Sequence, residues 1–222
     1  TPGFDVAPYF TATSCISRDP ETGIQNMGTY RGGIKASNRI GLKMFVNLRQ
    51  GGHSHWSKYK QQSKKMPMAI IVGCPPALAY VSPQKIRENV DEISVAGALA
   101  GSPIRVVKAK TIDLLVPADA EIVIEGLVDT DMLEPEGPFG ESHGHINLEE
   151  FNFIFEVTAI TRRSNAIMTS IISQVTPSES SVIKRVAMEP KFLNHLKEHI
   201  GIKGLKHVSL HEPLTNIRRF AF

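Results

Sequence analysis

An unbroken apolar stretch, Met68-Ala69-Ile70-Ile71-Val72, opens on Met66-Pro67 and closes on Gly73, the signature of a strand buried in a sheet interior. Upstream, residues 11–18 (TATSCISR) are rich in β-favouring side chains and predict a strand. Asp19-Pro20-Glu21-Thr22-Gly23 is a strong turn, and residues 26–34 read as the returning arm of a hairpin. A further strand is expected over 42–48, a helix over 54–63 and a short proline-initiated helix over 77–81. The run DEISVAGALA predicts a helix over 91–100 that stops at Gly101. Strands follow over 104–110, 121–127 and 151–162. In the second of these, Ile122 and Ile124 alternate only partly with their neighbours. Beyond Pro177 the period changes. Residues 178–197 carry Val182, Val186, Leu193 and Leu196 at amphipathic helical spacing, and 204–210 reads as the first strand of another unit. The pattern is α+β: a strand-rich body, a connecting helix over 177–203, and the start of a further domain over 204–222.

Composition narrows the function classes. The chain has 222 residues, 41% hydrophobic and 21% charged, enough to bury a core of ordinary kind. A net charge of +3 is too small to argue for nucleic acid, and the basic run Lys58 to Lys65 reads as a wet helix face. Cys15 and Cys74 lie far apart with no metal-type spacing, so a reducing cytoplasm is expected. No apolar run approaches the roughly 20 residues of a membrane span. The opening Thr1-Pro2-Gly3-Phe4-Asp5 lacks the features of a signal peptide. Both ends read as cut, so a fragment is expected.

Candidate chemistry lies in four segments. Glu136-Gly137-Pro138-Phe139-Gly140-Glu141 predicts a shaped loop with a carboxylate at each end, and Glu134 lies just upstream. Clustered acids repel, so raised, mutually dependent pKa values are expected there. Asn26-Met27-Gly28-Thr29-Tyr30-Arg31 ends in a guanidinium whose fork of donors suits a carboxylate or phosphate. Gln50-Gly51-Gly52 precedes a helix, where bare backbone amides can approach a phosphate, although the spacing fits neither the Walker nor the dinucleotide motif. His53 and His55 follow, more readily exposed loop histidines than metal ligands. Glu92 opens a helix, where the dipole alone explains an acid; with Asn26 it could also offer oxygen ligands to a hard divalent cation.

Taken in order, these segments resemble the UbiD-type decarboxylases that use prenylated FMN. The resemblance runs from about Thr11 to Pro177. It also takes in residues 38–42, Gly73, Ala96-Gly97, Val106-Val107-Lys108, Val116-Pro117, Glu125-Gly126 and Gly144. It implies a flavin-binding split β-barrel over 1–176 with peripheral helices, followed by a truncated α/β C-terminal domain. It further implies that Asn26 and Glu92 hold a divalent metal, Mn2+ or Mg2+, against the flavin phosphate, with K+ as a further ion. Thr29, Tyr30, Arg31, Lys43, Met44, Phe45, Gln50 and Gly51 match cofactor-contacting positions. Arg31, Glu136 and Glu141 match an Arg-Glu-Glu catalytic network. Lys43 departs from the family's frequent arginine, so its contact would be a point charge.

The implied activity is reversible, non-oxidative decarboxylation of an aromatic, heteroaromatic or α,β-unsaturated acid through a covalent adduct with the cofactor. On that model Arg31 orients the substrate carboxylate, Glu141 delivers the proton and Glu136 relays or holds charge between them. A flavin prenyltransferase would supply the cofactor, and a homo-oligomer is expected. Two other readings stay open: a non-catalytic or partner-dependent flavin-binding subunit of a carboxylase complex, and a flavin-reductase-like oxidoreductase on the same barrel.

Overall fold

The computed structural model describes residues 6–44, 50–87, 90–140, 146–148, 150–173 and 177–210. The chain divides into two compact units, 1–137 with 149–170 and 138–148 with 171–222.

In the first unit the chain runs β1 (Tyr9–Phe10), β2 (Thr13–Arg18), β3 (Gln25–Gly28), β4 (Gly32–Ala36), β5 (Arg39–Leu42), α1 (Gly51–Gln61), β6 (Met66–Val72), α2 (Pro76–Val81) and α3 (Glu92–Ala100). Then come β7 (Val106–Lys108), β8 (Leu115–Pro117) and β9 (Ile122–Glu136). The second unit contributes β10 (Phe139–Gly140) and β11 (Ile146–Asn147), and the chain returns to the first for β12 (Glu150–Arg162). Eight strands form one antiparallel sheet in the order β1-β4-β5-β12-β9-β6-β2-β3. The hairpin arm expected over 26–34 is therefore two strands, β3 at one edge and β4 next to the opposite edge. A flat sheet would separate positions two and eight by about 29 Å at the usual interstrand spacing. Residues 29–31 supply only four Cα steps between Gly28 and Gly32, about 15 Å at full stretch. The sheet must curl until its two ends approach, the open-barrel form that the resemblance implied.

Curling gives the sheet an inner and an outer face. The inner face buries Cys15, Leu42, Met66, Met68, Ile70, Val128 and Phe155 with Tyr30 and Trp56. The outer face of β2, β3, β6 and β9 buries Ile16, Met27, Ala69, Ile71 and Val123 beneath α2, α3 and the β7–β8 hairpin. With both faces covered, β6 needs the continuous apolar run seen in its sequence. The β7–β8 hairpin is fastened to the edge strand by one side chain: Gln25 Nε2 donates to the Leu115 carbonyl (2.9 Å), and Leu115 N–H donates to Gln25 Oε1 (2.8 Å). Asp91 caps α3 by accepting from the Ile93 N–H, and Gly101 ends it in the left-handed region at φ 70°.

Several expected boundaries move. α1 begins at Gly51, three residues earlier than expected. The strand expected over 42–48 lies at 39–42, with 45–49 outside the described residues. That expected over 104–110 shrinks to three residues. β9 runs nine residues past the expected end at 127, so Glu136 is the last rung of a ladder, paired with Glu150, and not the start of a loop. In the second unit, α4 (Glu179–Asn194) is capped by Ser178 and runs into a π-helical turn at His195–His199. Residues 204–210 form no strand beyond an isolated bridge at Leu210. No helix among the described residues is long and apolar enough to cross a membrane.

Phe155 is fully buried at the centre of the inner core, whereas Phe151 on the same strand is 64% exposed. Phe155→Ala should cost about 3–5 kcal/mol in denaturant unfolding, and Phe151→Ala within about 0.5 kcal/mol.

Candidate functional site

Strand register arranges the acids. Glu136 faces Glu150, and Asn152 faces Glu134, across the β9–β12 ladder, so all four side chains project from one side of the sheet. Like charges opposite one another destabilise a ladder unless cations intervene. The link that curls the sheet supplies one. Arg31 Nε donates to Glu136 Oε1 (2.9 Å) and a terminal nitrogen donates to Oε2 (2.8 Å), a bidentate fork. Glu136 is 1% exposed. Lys43 is the second cation. Its backbone N–H donates to the Arg31 carbonyl, its ammonium pairs closely with Glu150, and its charge also reaches Glu136. Glu134 is taken by Arg39 at 3.4 Å.

This pairing overturns the expectation of raised carboxylate pKa values for Glu136. Burial by itself would raise its pKa, but the hydrogen bonds and charge of Arg31, then Asn152 and Lys43, more than offset that and hold it below its ordinary value. Tyr9, which the sequence did not mark, lies against the same pair. Burial, then the charge of Glu136, pushes its phenol up to about 12.

A second group of residues gathers at the start of α1. Tyr30 is buried, its carbonyl accepts from Thr13 Oγ1 (2.8 Å) and its hydroxyl accepts from the Gly52 N–H (3.0 Å). Burial pushes its pKa up to about 12, against the Gly52 bond. A methyl group at Gly51 would collide with the Asn26 amide, so only glycine lets the helix start against that side chain. Glu92 is buried and accepts from the Met27 N–H (2.8 Å). Burial raises its carboxyl above the usual range despite that bond. Asn26, Gly51 and Glu92 line one cavity of about 540 Å³ with His53, Lys58 and Arg87.

The two groups are joined through Asn26 to Arg31. Of the expected cofactor-contacting residues, Thr29 is exposed and meets Ser82 Oγ (2.9 Å). Gln50 precedes α1, and Met44 is a core residue, as is the Tyr30 ring. Phe45 and Glu141 lie outside the described residues. No trio of His, Cys, Asp or Glu poised for a metal occurs among the described residues. Asn26 and Glu92 share the lining of that cavity and bring two hard oxygen donors to it, beside the cationic Lys58 and Arg87. His55 stands apart from that role: its Nδ1 meets the buried Ser17 hydroxyl at 2.9 Å.

A family model, the 3-octaprenyl-4-hydroxybenzoate carboxy-lyase Rift-related domain (UbiD), matches residues 3–175. An uncharacterized protein of Aquifex aeolicus is 36% identical over 203 residues, 91% of this chain and 39% of that protein. One of Archaeoglobus fulgidus is 32% identical, over 96% of this chain and 42% of its own length. The UbiD-class enzyme HmfF of Pelotomaculum thermopropionicum, solved with prFMN, superposes with a TM-score of 0.86 at 30% identity. That match covers 95% of this chain and 48% of HmfF. Vanillic acid decarboxylase of Sedimentibacter hydroxybenzoicus matches at 0.84 and 26% identity, over 92% of this chain and 44% of its own. The chain thus spans about two fifths of the curated relatives and just under half of these enzymes.

His55 gives the cavity wall a pH dependence. Burial depresses its pKa to about 4, the charge of Asp19 opposing and that of Lys58 adding. The neutral form is favoured by folding, so its contribution is complete above the unfolded pKa of about 6.5 and is lost as pH falls toward the folded value. Stability should fall by about 3 kcal/mol between those pH values, and His55→Gln should flatten that slope in unfolding curves taken across the range.

Proposed function

This chain belongs to the UbiD carboxy-lyase family, and from that premise we propose that the protein containing it catalyses reversible, non-oxidative decarboxylation of an aromatic, heteroaromatic or α,β-unsaturated acid with prenylated FMN. The observation that carries this reading is the buried bidentate pair of Arg31 with Glu136. A structural ion pair needs no such company; here it stands beside a second cation, Lys43, and is joined by a short link to a glycine-cleared cavity. That cavity supports the choice of cofactor. Asn26 and Glu92 would hold Mn2+ or Mg2+, with K+ as a further ion, against a flavin phosphate. Thr29, Lys43, Phe45, Gln50 and Gly51 would border the flavin, and Tyr30 and Met44, buried as side chains, would contribute backbone. A bound prenylated FMN supplies the electron sink that loss of CO2 from an unsaturated carbon requires.

The protein's own residues account for orientation and proton control. Glu136 fixes the plane of the Arg31 guanidinium, and from that plane Arg31 orients the substrate carboxylate by charge-assisted hydrogen bonds. With its pKa held down, Glu136 stays ionised at neutral pH and serves as the holder of charge, not as the proton donor. Glu141 is then the acid that protonates the carbon after CO2 leaves. A cytoplasmic homo-oligomer supplied by a flavin prenyltransferase completes the proposal.

Full-length protein co-produced with a flavin prenyltransferase should carry the modified flavin and release CO2 from a member of an aromatic and acrylic acid panel. Ordinary FMN with hydride transfer would replace this reading by a reductase, and bound flavin without turnover by a flavin-binding subunit. Glu141→Gln should abolish turnover and leave flavin absorbance intact, and Arg31→Lys should lower kcat/KM by about 10²-fold because a point charge cannot reproduce the fork.

A further inference from the structure

We infer that Asn152 is a positioning residue of the site: its amide holds the Glu136 carboxylate in the plane that grips Arg31. This rests on the active-site reading of the Arg31–Glu136 pair. Asn152 sits opposite Glu134 on the ladder, so Glu136, two residues further along the same face, is its diagonal neighbour. The side chain is 0% exposed, in a strand otherwise marked by phenylalanines at 151, 153 and 155. A buried amide without partners is costly, and apolar residues fill such positions more cheaply. Neither Nδ2 nor Oδ1 has a hydrogen-bond partner among the described residues, and the diagonal register sets the amide beside Glu136, whose ionised form it favours. The terminal torsion of asparagine is broad, so a small rotation turns this approach into an N–H donated to the carboxylate.

The space for that amide is made on the neighbouring strand. A side chain at Gly41 would come within 3.0 Å of Asn152 Nδ2 and 3.3 Å of its Cβ. Glycine there keeps the amide from being wedged away from Glu136. With zero exposure, Asn152 does not itself meet a ligand; it acts through the carboxylate. The other groups about Glu136 are Arg31 and Tyr9 from one side, Lys43 from β5's exit, and Glu150 and Glu134 on the ladder. Asn152 and the Tyr9 phenol are the neutral donors among them, and Asn152 is the one carried on the ladder beside Glu136 itself.

The test uses full-length protein without cofactor, labelled with 13C at glutamate carboxyls, the Glu136 resonance being assigned by its loss in Glu136→Gln. Asn152→Leu keeps the branching and heavy-atom count and removes the amide. The titration midpoint of Glu136 should move upward, and in cofactor-loaded enzyme kcat/KM for CO2 release should fall about tenfold with its acid limb displaced the same way. Asn152→Ala, which removes the amide without adding a charge, gives the same readout should the leucine variant not fold, and its midpoint should rise as well. A Glu136 midpoint equal to wild type in either folded variant overturns the inference. Because the titration needs no turnover, a shifted midpoint in a protein that releases no CO2 would leave Asn152's role standing and remove the decarboxylase reading instead.

Discussion

Three residues, Thr29, Tyr30 and Arg31, carry the chain from one edge of an eight-stranded sheet to its opposite side, and the rest of the architecture answers to that short link. A chain that short cannot cross a flat sheet, so the sheet curls. The same three residues are then held at the closing ends of the curl. Tyr30 anchors the link inward, through Thr13 on one side and the first turn of α1 on the other. Arg31, next in sequence, is left facing the far end of β9, where Glu136 completes its ladder. The geometry of the site is a by-product of how the barrel is forced to form.

Charge on the outer face follows the same logic. The ladder sets Glu136 against Glu150, an arrangement that would repel in isolation. Arg31, from the link between β3 and β4, and Lys43, just past the end of β5, convert the repulsion into a compact network of two acids and two bases. A buried pair of this kind contributes little net stability, because desolvation consumes most of the attraction. What it does fix is direction: the fork clamps the guanidinium in one plane. Pairing also outweighs the effect of burial on Glu136 and holds its carboxyl below the ordinary value.

At the start of α1 the governing quantity is space. Gly51 is required by the Asn26 amide, and the helix therefore begins with its first amides close to a cavity that also contains Glu92. Glu92 tucks its carboxyl beneath the β3 backbone, where the Met27 N–H orients it. A cation there would relieve the burial cost that raises its pKa.

Much was legible in the sequence because it depends on neighbours along the chain. The apolar run of β6, the turn at Asp19 to Gly23 and the stop of α3 follow from local propensity, period and spacing, and the resemblance to the family rests on motifs that are likewise contiguous in the chain. What the sequence could not determine depends on residues brought together over a hundred positions. One continuous strand was expected over 26–34, because no local signal distinguishes a hairpin arm from two strands on opposite sides of a sheet. The acids at 134 and 136 read as mutually repelling, because the arginines that claim them come from elsewhere in the chain, 39 from β5 and 31 from the link before β4. Asn152 and Tyr9 carried no motif at all. Local chemistry named the groups; long-range strand order decided which would face one another, since only closure of the sheet converts distance along the chain into contact.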